Sequence, residues 1–201
     1  MFTKPLIVFL VATIAGLVGC GGDQPLQPTV DRRLVPDGAA LRSVESEPQG
    51  ALLATIRAAT ARYHRVEDAL ADGYVRGSPC AYSPMGAQGE HFRKASLFDA
   101  VVDPSQPEML LYEPQANGDR RLVGVEFIVP SAAWDPGHTG IPMLGDQPFV
   151  DRRAPGVVGP PFPNYGLNVW LWYDHPSGMY AEWNPAVTCE FAEGAVFFPL
   201  T

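Results

Sequence analysis

The sequence predicts an α+β domain, with one N-terminal amphipathic helix packed on a mainly antiparallel sheet and long Pro- and Gly-rich loops. Three observations predict it. Leu52, Ile56, Ala59, Tyr63, Val66 and Leu70 recur at alternating spacings of four and three, which is one apolar stripe of a helix, and Gly73 supplies its stop. Asn117-Gly118 lies between the apolar runs Met109 to Glu113 and Arg121 to Val129, the pattern of a tight hairpin. Gly and Pro make up 41 of 201 residues, above ordinary usage and short of low complexity, while 46% hydrophobic against 18% charged content is enough to fill a core.

The elements follow in order. On the helix, Arg57, Arg62, Arg65 and Asp68 form the solvated side, and His64 sits four residues before Asp68 as a surface residue. In the strand after the hairpin turn, Val123, Val125, Phe127 and Val129 are expected on one face and Leu122, Gly124, Glu126 and Ile128 on the other. Pro130 to Pro163 reads as an irregular excursion broken only by Pro148-Phe149-Val150. Leu167 to Tyr173 is the third strand, and short strands at Val187 to Phe191 and Ala195 to Phe198 follow.

The N-terminus reads as an address. Lys4 precedes the apolar run Leu6 to Val18, too short for a comfortable span of about 20 residues, so residues 1–19 are expected to be a signal peptide. Leu17-Val18-Gly19-Cys20 looks like a bacterial lipobox, which makes Cys20 the lipidated first residue of the mature chain. Two or three acyl chains anchor stably where one is marginal. Residues 20–47 read as a tether and 48–201 as one globular domain. Gly21 follows Cys20 where an inner-membrane retention signal has Asp, so the expected location in a double-membrane bacterium is the outer membrane, facing the periplasm.

Removing residues 1–19, which carry one lysine and no acid, leaves 182 residues with a net charge of −9. Nucleic acid and anionic headgroups are poor partners for such a chain. Cys80 and Cys189 then remain in a compartment that permits disulfides and are expected to pair. A metal pair needs further ligands at zinc-like spacing, which neither cysteine has.

The order of blocks resembles a family of bacterial secreted proteins and lipoproteins without an assigned activity. The likeness runs from Ala51 to Cys189. It rests on Ala69 to Tyr74, Ser78-Pro79-Cys80, Met85-Gly86 with His91-Phe92, Pro107 to Pro114, Leu122-Val-Gly-Val-Glu-Phe127, Leu167-Asn-Val-Trp-Leu-Trp172, Pro176 to Tyr180, and Trp183-Asn-Pro185 ahead of Cys189. Members carry Met-Gly-X-His-aromatic, Val-Glu-aromatic and Leu-His-Val-Trp blocks, and two imidazoles with a carboxylate suit a divalent transition metal. This chain departs from the pattern twice: four residues separate Met85-Gly86 from His91, and Asn168 stands at the second imidazole position, with Asp174 and His175 as nearby substitutes.

The candidate ligand or metal residues are therefore His91, Glu126, Asn168, Trp170, Asp174 and His175. A buried Glu126 must be paired, protonated or metal-bound, and an Arg partner serves as well as a ligand. Trp170 and Trp172 share a strand face and can stack a ligand or fill the core. No Gly-X-Ser-X-Gly elbow, phosphate-binding loop, His-Glu-X-X-His or Cys-X-X-Cys is present. Three functions remain open. One is a non-catalytic envelope lipoprotein that binds a metal ion or small ligand in a His/Glu/Asn/Trp pocket. The second is a metal-dependent enzyme using the same pocket, and the third a structural or interaction module.

Overall fold

The computed structural model describes residues 47–154 and 159–199. The signal segment, Cys20 and the tether lie outside the described residues. Among the described residues no helix is long and apolar enough to cross a membrane. The architecture is α+β, with a few helices and an eight-stranded, mostly antiparallel sheet.

Residues 47 to 71 are helical in three pieces: α1 (Glu47–Thr60), a 3-10 turn (Ala61–His64) and α2 (Val66–Ala71). Arg65 adopts extended backbone angles and separates the last two. Gly73, at φ +91°, closes α2, with Tyr74 N donating to Ala69 O (3.0 Å) and Gly73 N to Leu70 O (3.1 Å). Leu53, Ile56, Tyr63 and Ala69 are buried in one cluster with Phe92, Leu110, Tyr112, Val125, Phe127 and Leu167 of the sheet, whereas Leu70 is exposed.

The sheet contains β1 (Val75–Arg76), β2 (Cys80–Ser83), β3 (Gly86–Arg93), β4 (Met109–Pro114), β5 (Arg120–Pro130), β8 (Val150–Arg152), β9 (Asn164–Val169) and β10 (Ala195–Phe197). Its order is β10-β2-β3-β4-β5-β9-β8, with β1 also on β3. Only β10 on β2 is parallel. A one-turn helix, α3 (Ser131–Trp134), and a small ribbon of β6 (Met143–Leu144) with β7 (Gln147–Pro148) lie between β5 and β8. The β4–β5 hairpin turns at Asn117-Gly118.

Three strand expectations shift. The third strand runs from Asn164 to Val169, three residues earlier than periodicity indicates, because Pro130↔Asn164 is the first of its pairs with β5. Residues 187–191 form no strand. The register slips between Leu111 and Tyr112, which face Gly124 and Leu122, and leaves Val123 as the extra residue of a bulge. Val123 consequently packs with Ala87, Leu111, Trp170 and Val187, while Leu122 joins Val125, Phe127 and Val129 in the other cluster.

Cys80 and Cys189 form a disulfide across 109 residues of sequence. The bridge fastens the segment leading into β10 against β2, and β10 completes that edge through the pairs Ala195↔Cys80 and Phe197↔Tyr82.

Candidate functional site

Both faces of β3, β4, β5 and β9 are covered, so polar side chains on these strands are buried whichever way they point. Alternation along β3 sends neighbours to opposite faces. Glu90, wholly buried, is clamped by Arg76 Nη2 (2.5 Å) and Arg120 Nε (2.6 Å) on the side where Arg120 also covers Phe92. His91 points to the other face. Glu90 and Glu126 therefore lie on opposite faces of the sheet.

A cross-strand row on that second face reads Arg93, Met109, Glu126, Asn168, by direct register through β3, β4, β5 and β9. The next row holds His91, Leu111 and Gly124. β3 and β5 are two strands apart, roughly 10 Å, and the His91 and Glu126 side chains span that gap over β4. His91 Nε2 lies 3.5 Å from Glu126 Oε2. The other ring nitrogen, Nδ1, lies 2.9 Å from Ser78 Oγ, and Ser78 is held next to it because Gly77 N donates to His91 O (2.7 Å).

Glu126 has a second partner that sequence reasoning missed. Arg152 Nη1 donates to Glu126 Oε1 at 2.5 Å, and both side chains are almost fully buried. Arg152 stands in β8 opposite Asn164, and its guanidinium lies over Gly166, where a Cβ would overlap it. Arg152 Nη2 also lies 3.4 Å from Glu182 Oε1. The main-chain oxygen of Glu182 accepts Gln88 Nε2 (2.9 Å) and Asn168 Nδ2 (2.8 Å). Asn168 Oδ1 and Arg152 Nε are buried without a hydrogen-bond partner among the described residues. The demand of a buried Glu126 for a partner was readable in the sequence; the identity of that partner, inside the proline-rich excursion, was not.

Burial holds the His91 imidazole below its ordinary pKa, opposed by the Glu126 carboxylate and reinforced by the Arg152 cation. His91 is therefore neutral. With the proton on Nε2, the nitrogen nearer the Glu126 carboxylate, Nδ1 presents a lone pair to Ser78. The Ser78 hydroxyl has a further acceptor in Pro79 O, at 3.0 Å.

His91, Ser78 and Glu126 open into a cavity of about 190 Å³. Its walls are mainly apolar: Met109 from the sheet, Pro160 and Pro161 from the loop before β9, and Val196 and Phe198 from the C-terminal segment. Arg93 stands among the lining residues, its stem against Gly77. It is exposed, and no acid among the described residues pairs with it.

The remaining predicted residues lie elsewhere. Asn168 neighbours Glu126 in register but turns its amide to Glu182. Trp170 is wholly buried in the smaller core cluster, with Nε1 donating to Ala181 O (2.7 Å). Asp174 offers its main-chain oxygen to Asn184 Nδ2 (2.8 Å), and His175 Nδ1 lies 3.2 Å from Tyr173 O. None of these four lines the cavity.

The donor set does not suit a transition metal. Only His91 and Glu126 converge, and among the described residues no group of three or more His, Cys, Asp or Glu side chains comes together. The Arg152 guanidinium already contacts the carboxylate and places a positive charge where a divalent ion would sit. No protein-family model, no curated protein and no solved structure matches the chain.

Proposed function

We propose that the chain is a lipid-anchored envelope protein, of the bacterial family its sequence blocks resemble, whose domain binds a small acyl compound. The anchor rests on the apolar run Leu6 to Val18 and the Leu17-Val18-Gly19-Cys20 motif, and Gly21 after Cys20 favours the outer membrane, facing the periplasm, in a bacterium with two membranes. The stripe from Leu52 to Leu70 supports reading residues 48–73 as the amphipathic helical cover of one sheet face. Labelled-palmitate incorporation that survives Cys20→Ser would sink the anchor.

The observation that carries the binding reading is the cavity beside His91. At about 190 Å³ it is slightly larger than an engineered cavity of roughly 150 Å³ that accepts benzene, so it suits a molecule of about six to ten heavy atoms. Apolar walls favour a short hydrocarbon chain. Arg93 among the lining residues and the Ser78 and His91 pair favour a carbonyl or carboxylate group on that chain. Arg152 beside Glu126 favours such an organic ligand over a divalent metal.

Sodium butyrate and sodium hexanoate are the probes. Hexanoate should shift the ring resonances of His91 and raise the melting temperature, and Arg93→Ala should weaken both effects, whereas Zn²⁺ should change neither. A protein indifferent to both acids, or one that gains stoichiometric Zn²⁺ through His91, refutes this reading.

A further inference from the structure

We propose that Ser78 is an acyl-accepting nucleophile, with His91 as its general base and Glu126 as the positioning acid, so that the cavity hydrolyses small esters of short-chain acids. This deepens the pocket reading and rests on it. Three observations carry it. Ser78 Oγ and His91 Nδ1 are 2.9 Å apart, within reach for direct proton transfer. The opposite ring nitrogen lies 3.5 Å from a buried carboxylate, itself fixed by Arg152 at 2.5 Å, and the negative charge there favours the proton on that nitrogen and the lone pair on the side of Ser78. All three residues line one cavity, and Ser78 is only partly buried, which leaves its hydroxyl accessible from that space.

The ring is used in the opposite sense to the familiar serine hydrolases, with Nδ1 toward the nucleophile and Nε2 toward the acid. The roles depend on lone pair and N–H rather than on which nitrogen carries them. Because Pro79 follows Ser78 and has no N–H, the residue after the nucleophile cannot donate to a developing oxyanion. Arg93 supplies that charge, since its stem rests on Gly77 and its guanidinium has no acidic partner among the described residues.

The steps balance. Ser78 Oγ forms a bond to the ester carbonyl carbon while its proton passes to His91 Nδ1, and the carbonyl oxygen becomes an oxyanion facing Arg93. Collapse breaks the bond to the leaving alkoxide, which takes the proton from His91 and departs as an alcohol. Water then attacks the acyl-serine, His91 takes its proton and returns it to Ser78 Oγ, and the acid leaves.

The test treats the full chain with a small alkyl fluorophosphonate and locates the adduct by peptide mass spectrometry, with p-nitrophenyl butyrate turnover and hexanoate binding measured on the same samples. One adduct on Ser78, absent in Ser78→Ala and slowed on the order of a hundredfold in His91→Gln, supports the proposal. Ser78→Ala should keep the urea unfolding midpoint of the parent chain, which shows that the fold is intact. Labelling that persists in Ser78→Ala, or no labelling of a protein that still binds hexanoate, overturns the nucleophile and leaves the pocket reading standing. Absence of both labelling and hexanoate binding overturns the two together.

Discussion

Glu108 provides the sharpest pH test of the fold. It precedes β4, is 2% exposed, and its Oε2 accepts the Ile128 main-chain N–H at 2.9 Å. Burial pushes its carboxyl up to about 8 from 4.5; the Ile128 N–H opposes this, and the Asp99 and Glu126 charges add to it. Between those two pH values the folded state holds a proton that the unfolded chain has released, so stability falls as pH rises and levels off above pH 8. At about 1.4 kcal/mol per pH unit the total loss is on the order of 4 to 5 kcal/mol. Glu108→Gln keeps an acceptor for Ile128 and removes the titration. Urea unfolding of both proteins at pH 5, 7 and 9 should therefore give near-equal stabilities at pH 5 and a growing advantage for the variant toward pH 9. Groups common to the two proteins cancel in the difference. A difference that does not change between pH 5 and 9 would refute the reasoning.

Other consequences follow from the buried network and the cystine. Arg152→Met should cost roughly 3–5 kcal/mol because it strands the Glu126 charge, while Arg152→Met with Glu126→Gln should recover much of that; equal losses in denaturant melts would deny the coupling. The same Arg152→Met should raise the His91 pKa, since the guanidinium holds it down, and an NMR titration of the ring reads this directly. Gly166→Ala should cost about 1–3 kcal/mol by displacing the guanidinium, and far less in an Arg152→Met background. Additive costs in the two backgrounds would count against that contact. Replacing both Cys80 and Cys189 by Ser should cost roughly 2–5 kcal/mol, with hydrogen exchange rising first across residues 183–198.

What the sequence disclosed depended on how local each signal is. The hairpin at Asn117-Gly118 is encoded by its own turn residues, and alternation of the flanking apolar side chains does the rest. β3 is the opposite case: Gly86, Gln88, Gly89, Glu90 and His91 have neither strand propensity nor clean alternation, and they are strand only because β2 and β4 pair on either side. The strand that carries His91 was consequently invisible. The bulge at Val123 has no sequence mark, and it reversed the assignment of Val123 and Leu122 to their faces. In the site, His91 stands out through the sequence blocks the chain resembles, and Glu126 also as an acid between apolar neighbours on a strand. Ser78 was seen only as part of a motif, and Arg152 joins them through the β8–β9 pairing and a glycine at position 166, neither of which is local in sequence.

The pairing of β10 with β2 also sets a schedule. Ala195 sits against Cys80, more than a hundred residues upstream, so the loop closed by that contact is among the longest the domain offers. Such topologies fold slowly. Val196 and the adjoining Phe198, both part of the cavity wall, arrive with that last edge. A folding chain therefore has its hairpin and inner strands before it has an enclosed cavity, and closure of that cavity waits for the longest-range pairing of the sheet.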